Sequence, residues 1–279
     1  MEWIRGTLIC YTFSRLPKLL LYFGFFGSAL RRCGLRATAE WTWRRFRQLK
    51  GSTCAEERRW IIRPAQAKYP LTVRLAKTSD LRVFEQVFLL DEYSCLRDIK
   101  DVLVVLDLGA NVGFSSAYLL SSFPQARMVA VEPDSGNSTV CAANLAPYGG
   151  RATLMRGAVW SRRTKLRIAG TSQGNGNEWG RQMEEPLEGP AEVEAWDIGS
   201  LLDINGFKKA DLIKIDIEGA EIAIFGYGAD TAWLLRTRNI CIELHGQECK
   251  DAFFRALGGF DYKLSYSNEL TICRDLRPK

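Results

Sequence analysis

Residues 107–134 read DLGANVGFSSAYLLSSFPQARMVAVEPD, and this stretch decides the fold. It contains the end of a strand, a turn with two glycines, a helix that stops near Pro124 and a second strand that ends in an acid. The first strand, VLVVLDLG, is almost wholly apolar, as expected for a parallel strand in a sheet covered on both faces. The stretch therefore predicts an open α/β sheet that binds a ligand beyond the carboxyl end of this strand.

The alternation of strands and helices continues to the end of the chain. Further strands are predicted in ATLMRGAVW, ADLIKIDI and RNICIELHG, and one helix is predicted over AEIAIFGYGADTAWLLRT (220–237). DYKLSYS and ELTICRD close the chain as an antiparallel hairpin joined at SNE. The sequence thus predicts a doubly wound, seven-stranded, mostly parallel sheet with a C-terminal antiparallel hairpin.

The segment before the sheet has a different composition. Residues 1–63 contain 13 of the 38 Lys and Arg but only 4 of the 32 Asp and Glu, a net charge of +9, and 11 of the 31 aromatic residues. We therefore divide the chain into a basic, aromatic, helical segment (1–68) and an α/β domain (69–279), whose first helix is capped by TSD. The uncharged stretch LLLYFGFFGSAL (19–30) is shorter than the roughly 20 residues that cross a bilayer. A helix packed on the domain or on a partner subunit, a peripheral membrane contact through residues 1–63, and a cleaved or spanning segment are all open.

The eight cysteines are scattered and form no C-x-x-C pair, which argues against a zinc knuckle. Several lie within apolar runs, as expected for reduced thiols of a cytoplasmic protein. The sequence leaves the oligomeric state open.

The glycine turn has the features of a nucleoside site. It begins at Asp107 and contains Gly109, Asn111 and Gly113, and the next strand ends in Glu132, which can accept both hydroxyls of a ribose. The D-x-G-x-x-x-G spacing departs from the G-x-G-x-x-G of dinucleotide sites. An acid is also a poor neighbour for a pyrophosphate and a good one for the cation of S-adenosylmethionine (SAM). SAM is the favoured cofactor, with NAD(P) or a turn without ligand as alternatives.

DLGANVGFSS, VEPD, LIKIDIEGAE and CIELHG, in this order, resemble the FkbM-type SAM-dependent methyltransferases. The resemblance covers about residues 69–275, and the KIDIEGAE stretch is its specific part. It implies a class I, Rossmann-like methyltransferase fold, SAM as methyl donor, and O-methylation of a hydroxyl on a sugar, glycoconjugate or secondary metabolite.

A second group of polar residues follows the fourth and fifth strands. Asp216 ends the fourth strand, and Glu243 and His245, the only histidine of the chain, end the fifth. These residues are candidate catalytic groups, with His245 as general base, or they hold a divalent metal that lowers the pKa of the acceptor hydroxyl. Glu218 and Glu221 have a simpler interpretation as charges at a helix N-terminus.

A SAM-dependent O-methyltransferase with a small-molecule or glycan acceptor is the leading functional hypothesis. The glycine-rich loop 171–190, with Trp179, is a candidate lid. The alternatives are a nucleotide-dependent oxidoreductase and a methyltransferase-fold module that binds RNA or a membrane surface. The net negative charge of the catalytic part argues against a nucleic-acid substrate.

Overall fold

The computed structural model describes residues 27, 29–31, 34–44, 46–47, 59–75, 78–168, 183–184 and 193–279. The strands in chain order are β1 (Arg59–Ile62), β2 (Leu71–Arg74), β3 (Val104–Leu108), β4 (Arg127–Glu132), β5 (Ala152–Arg156), β6 (Ala158–Val159), β7 (Thr164–Ile168), β8 (Met183–Glu184), β9 (Val193–Trp196), β10 (Leu212–Ile215), β11 (Ile240–Glu243), β12 (Phe260–Ser267) and β13 (Leu270–Pro278). The α-helices are α1 (Asp80–Phe84), α2 (Phe114–Ser122), α3 (Ser135–Leu145), α4 (Ile198–Ile204), α5 (Glu221–Phe225) and α6 (Gln247–Ala256). Shorter helical turns cover Glu85–Leu89, Glu92–Leu96, Ala146–Arg151, Ala232–Arg236 and Leu257–Gly259.

The central sheet has seven strands in the order β12-β13-β11-β10-β3-β4-β5. Strands β3, β4, β5, β10 and β11 are parallel, while β13 runs antiparallel to β11 and forms the terminal hairpin with β12. This is the predicted doubly wound sheet of a class I methyltransferase. The strand order reverses between β3 and β10, so ligands are expected beyond the carboxyl ends of these two strands.

Each face of the sheet carries its own apolar core. On one face, α2 and α3 pack with the segment around α1, through residues such as Phe84, Phe88 and Tyr118. On the other face, α4, α5 and α6 pack through residues such as Phe225 and Phe253. The strands are therefore buried on both faces, which explains their continuous apolar sequences.

The chain around the predicted domain boundary at residue 69 is continuous with the first core. β1 pairs with β2 across this boundary, and Trp60 is buried against Phe84 with ring centroids 5.8 Å apart. Trp41, in a helical stretch further upstream, belongs to the same core. The boundary itself stays a prediction.

Two predicted elements are interrupted in the structure, and each interruption falls at a glycine. ATLMRGAVW is divided into β5 and β6 at Gly157, where an added Cβ would lie 2.1 Å from the ring of Trp196. The single helix predicted over 220–237 is wrong, because α5 ends at Phe225. An added Cβ at Gly226 would lie 2.3 Å from the carbonyl oxygen of Ile222.

The predicted TSD cap is also wrong. Ser79 precedes α1 without a side-chain cap hydrogen bond. Asp80 is fully buried and accepts hydrogen bonds from the Arg74 guanidinium, with Nη2 2.8 Å from Oδ1. The acid therefore ties α1 to β2 instead of closing the helix N-terminus.

A second, four-stranded sheet has the order β6-β9-β7-β8. Its first strand, β6, comes in the chain directly after β5, an edge strand of the central sheet. The candidate lid 171–190 lies outside the described residues, apart from 183–184 in β8. Most of the uncharged stretch 19–30 lies outside them as well. Within the described parts of the chain, no helix combines the length and apolarity needed to cross a membrane.

Candidate functional site

The two glycines of the turn make room for neighbouring protein atoms. Gly109 has φ +81°, and an added Cβ would lie 1.7 Å from the carbonyl oxygen of Asp216. Gly113 has φ +83°, and its Cβ would lie 2.9 Å from Sγ of Cys141 in α3. The glycines therefore bring the turn against the end of β10 and against α3, and both adopt a backbone conformation that disfavours side chains.

Asp107 lies beneath the turn and is fully buried. Its carboxylate accepts hydrogen bonds from Ser115 Oγ at 2.7 Å and Ser116 Oγ at 2.5 Å, and its Oδ1 lies 3.3 Å from Nζ of Lys214. Lys214 Nζ also donates to the carbonyl of Gly109 at 2.7 Å. The Asp107 charge is thus compensated inside the protein. It fixes the turn, whereas the sequence had suggested that it faces the cofactor directly.

Glu132 stands at the end of β4 with both oxygens oriented by backbone donors. Oε2 accepts from the Asn111 N–H at 2.8 Å and Oε1 accepts from the Asp134 N–H at 2.9 Å. Burial raises the pKa of Glu132 to about 7, despite these donors, which lower it. Asn111 adopts φ +51°, and its side-chain oxygen accepts from the Val112 N–H. The two backbone donors therefore fix the orientation of the Glu132 carboxylate inside a cleft.

The cleft has a volume of about 340 Å³ and opens where the strand order reverses, between β3 and β10. It joins Gly109, Asn111 and Glu132 to the residues at the ends of β10 and β11, whereas Asp107 and Gly113 lie outside its lining. The polar and aromatic residues that line it include Arg82, Gln86, Glu92, Tyr93, Asn111, Glu132, Lys214, Asp216, Glu218, Glu243 and His245.

His245 lies at the centre of a carboxylate cluster. Its Nδ1 is 2.9 Å from Oε1 of the fully buried Glu221. Its Nε2 is 3.5 Å from Glu243, 3.6 Å from Glu218 and 4.0 Å from Asp216. The hydrogen bonds with Glu221 and then Glu243 raise the pKa of His245 to about 11, so without a metal the imidazole is protonated at neutral pH.

The same cluster has the dimensions of a metal site. Ligand atoms of Asp216, Glu218 and His245 all lie within 4.8 Å of one another. The sequence had named Glu243 in place of Glu218 and interpreted Glu218 as a helix-terminal charge. Glu218 lies three residues beyond the end of β10 and has φ +52°, so the alternation of side chains along that strand does not extend to it.

Glu92 is a site residue that sequence reasoning missed. It begins the helical turn Glu92–Leu96. It is 5% exposed, and its side chain accepts a hydrogen bond from Gln86 Nε2 at 2.8 Å. Burial raises the pKa of Glu92 to about 7, and the negative charges of Glu243 and Asp216 act in the same direction. The sequence predicts a helix after TSD, and that pattern carries no indication of a cleft wall.

Comparison with known proteins gives a family match and several similar proteins. The methyltransferase FkbM domain matches residues 107–263, which include the glycine turn and the carboxylate cluster. The chain is 29% identical over 185 residues to the 2-O-methyltransferase NoeI of Sinorhizobium fredii, covering 61% of this chain and 72% of NoeI. It is 27% identical over 231 residues to the AMB antimetabolite synthetase AmbE of Pseudomonas aeruginosa, covering 69% of this chain but only 11% of AmbE. A crystal structure of an O-methyltransferase from Bacillus cereus with SAH aligns at a TM-score of 0.39 and 14% identity, over 66% of this chain and 78% of that one.

The family match decides between the cofactors left open by the sequence. It covers more than half of the chain and supports SAM over a nicotinamide dinucleotide. The chain therefore belongs to the FkbM methyltransferase family and is a SAM-dependent methyltransferase.

Proposed function

We propose that this protein transfers the methyl group of SAM to a hydroxyl of a sugar, a glycoconjugate or a secondary metabolite. The observation that carries the proposal is the carboxylate–histidine cluster in the same cleft as the glycine turn. Such a cluster can orient and deprotonate a hydroxyl. The similarity to a 2-O-methyltransferase supports the same chemistry.

The turn and Glu132 form the proposed donor side. Each oxygen of Glu132 accepts one backbone N–H and keeps a lone pair for a hydroxyl of the SAM ribose. Asn111 and Gly109 line the cleft beside it. SAM supplies an already activated methyl group, so the protein has to orient the acceptor and exclude water.

The cluster at the ends of β10 and β11 forms the proposed acceptor side. Because Nδ1 of His245 is held by Glu221, its Nε2 is directed toward three carboxylates, as in the carboxylate–histidine pairs that support metal ligands. We therefore favour the metal alternative over a neutral histidine base. A divalent cation held by Asp216, Glu218 and His245 would lower the pKa of the acceptor hydroxyl.

The test is transfer of labelled methyl from SAM into a panel of glycans and small-molecule extracts. The enzyme is assayed after chelation and again after addition of Mg²⁺ or Mn²⁺. Asp216→Asn and His245→Ala are expected to lower turnover by about 10²–10⁴-fold while SAM affinity stays close to normal. Glu248→Gln, which changes an exposed acid in α6 outside the cleft lining, is the matched control.

Two results would contradict separate parts of this proposal. Label recovered on nitrogen or carbon would refute O-methylation. Full activity after chelation would refute the metal and leave the carboxylates as the proton acceptors.

A further inference from the structure

The helical stretch before the central sheet exposes an apolar surface. Residues 34–44 and 46–47 are helical. Leu35 is 71% exposed, Trp43 is 49% exposed and Phe46 is 55% exposed. At about 100° per residue these three side chains fall within about 80° of one another around the helix axis. We call Leu35, Trp43 and Phe46 the exposed apolar face.

The opposite side of this helix attaches it to the domain. Thr38 and Trp41 are buried, and Glu40 accepts a hydrogen bond from Nε1 of Trp60 at 2.8 Å. A helix on a globular protein normally buries its large apolar side chains and exposes its polar ones. In this helix the side that packs on the domain includes a threonine and a glutamate, whereas a leucine, a tryptophan and a phenylalanine are exposed to solvent.

Arginines flank the exposed apolar face. The Arg47 guanidinium lies 4.6 Å from the centre of the Trp43 ring. Arg36 has a side chain that is 94% exposed, with Nε 3.0 Å from Glu40, and Arg31, five residues earlier in the chain, is exposed. Cationic side chains beside a tryptophan and aliphatic groups are typical of helices that lie at the interface of an anionic membrane.

We propose that the exposed apolar face docks on the surface of a bilayer containing anionic lipids, with the flanking arginines at the lipid phosphates. The net charge of +9 on residues 1–63 complements such a surface, and the uncharged stretch 19–30 lies directly upstream in the chain. An RNA partner would use the arginines but leave Leu35 and Phe46 without a role. A second copy of this chain would bring two strongly basic segments together.

The test is co-sedimentation of the full-length protein with phosphatidylcholine vesicles, with and without phosphatidylglycerol. We expect binding to the anionic vesicles that weakens with added salt, and little binding to neutral ones. The triple variant Leu35→Ser, Trp43→Ser, Phe46→Ser should weaken binding by at least about 100-fold, because three large apolar groups no longer insert. A double variant of exposed apolar residues elsewhere, Ile204→Ser with Leu235→Ser, should bind like the natural chain.

Several outcomes would overturn the proposal. These are unchanged vesicle binding by the triple variant, equal binding to neutral and anionic vesicles, or no vesicle binding by the natural chain. A dimer or an RNA complex that the triple variant abolishes, without a change in vesicle binding, would identify a different partner. Should the triple variant unfold, Phe46→Ser alone provides the measurement, with a loss of at least about fivefold expected.

Discussion

Replacement of Lys214 by methionine should lower the free energy of unfolding, because Lys214 holds the glycine turn in place. Lys214 is 2% exposed and its Nζ lies 3.3 Å from Asp107, 3.5 Å from Asp216 and 2.7 Å from the carbonyl of Gly109. Methionine has a similar volume but no charge, so Lys214→Met leaves the fully buried Asp107 with only its two serine donors. Removal of one partner of a buried ion pair typically costs about 3–5 kcal/mol of unfolding free energy.

Urea unfolding followed by tryptophan fluorescence at pH 7 measures the loss. We expect Lys214→Met to lose about 3–5 kcal/mol of unfolding free energy, and the double variant with Asp107→Asn to recover much of it. Lys209→Met is the matched control, since Lys209 is 68% exposed and its Nζ lies 3.7 Å from Asp211. It should cost less than about 1 kcal/mol. A loss below about 1 kcal/mol for Lys214→Met at pH 7, or a double variant no more stable than the single one, would refute the reasoning.

Three further predictions concern the cleft. The pKa of Glu132 is raised to about 7, and in the proposed function its ionised form accepts the ribose hydroxyls, so SAM affinity by calorimetry should fall about tenfold per pH unit below 7 and level off above it. Glu132→Gln should bind weakly at every pH, and a parallel pH dependence in that variant would contradict the assignment. Gly109→Ala should abolish stable folding in thermal scans, because its Cβ would overlap a backbone carbonyl. Gly149→Ala, at φ +58° with open space around it, should cost only about 1–3 kcal/mol. His245 is the only histidine, so one set of NMR imidazole signals reports its pKa. In the metal-free protein it should not titrate between pH 5 and 9, and Glu221→Gln should bring the pKa down toward 6.5, whereas titration near 6.5 in the natural chain would refute the hydrogen-bonded cluster.

The fold follows from the sequence because local patterns and global topology agree. Continuous apolar strands, a glycine turn and a C-terminal hairpin each point to the same doubly wound sheet, and the structure contains it. Two elements differ, at Gly157 and at Gly226. At Gly157 the ring of Trp196 occupies the space of a side chain, and such a long-range contact leaves no periodic pattern in the sequence. At Gly226 the space is occupied by the carbonyl of Ile222, one turn earlier in α5.

The site residues were predictable where they end a strand. Glu132, Asp216, Glu243 and His245 follow strands of the parallel sheet, and the structure brings them into one cleft. Glu92 follows a buried helical turn, and its place in the cleft depends on how that segment packs over the sheet. The role of Asp107 was equally hidden, because its partner Lys214 lies 107 residues further along the chain but directly opposite it in the register of β3 and β10.

The contact between Gly109 and the carbonyl of Asp216 constrains which substitutions the cleft can accept. Any side chain at position 109 would require the end of β10 to retreat, and with it the acidic residues that follow, so the glycine turn and the cluster are sterically tied to each other. The wall that carries Gln86 and Glu92 comes from a separate length of chain, upstream of the 107–263 stretch that matches the family. One side of the cleft is therefore fixed by a backbone contact, whereas the other side depends on how a separate segment packs over the sheet.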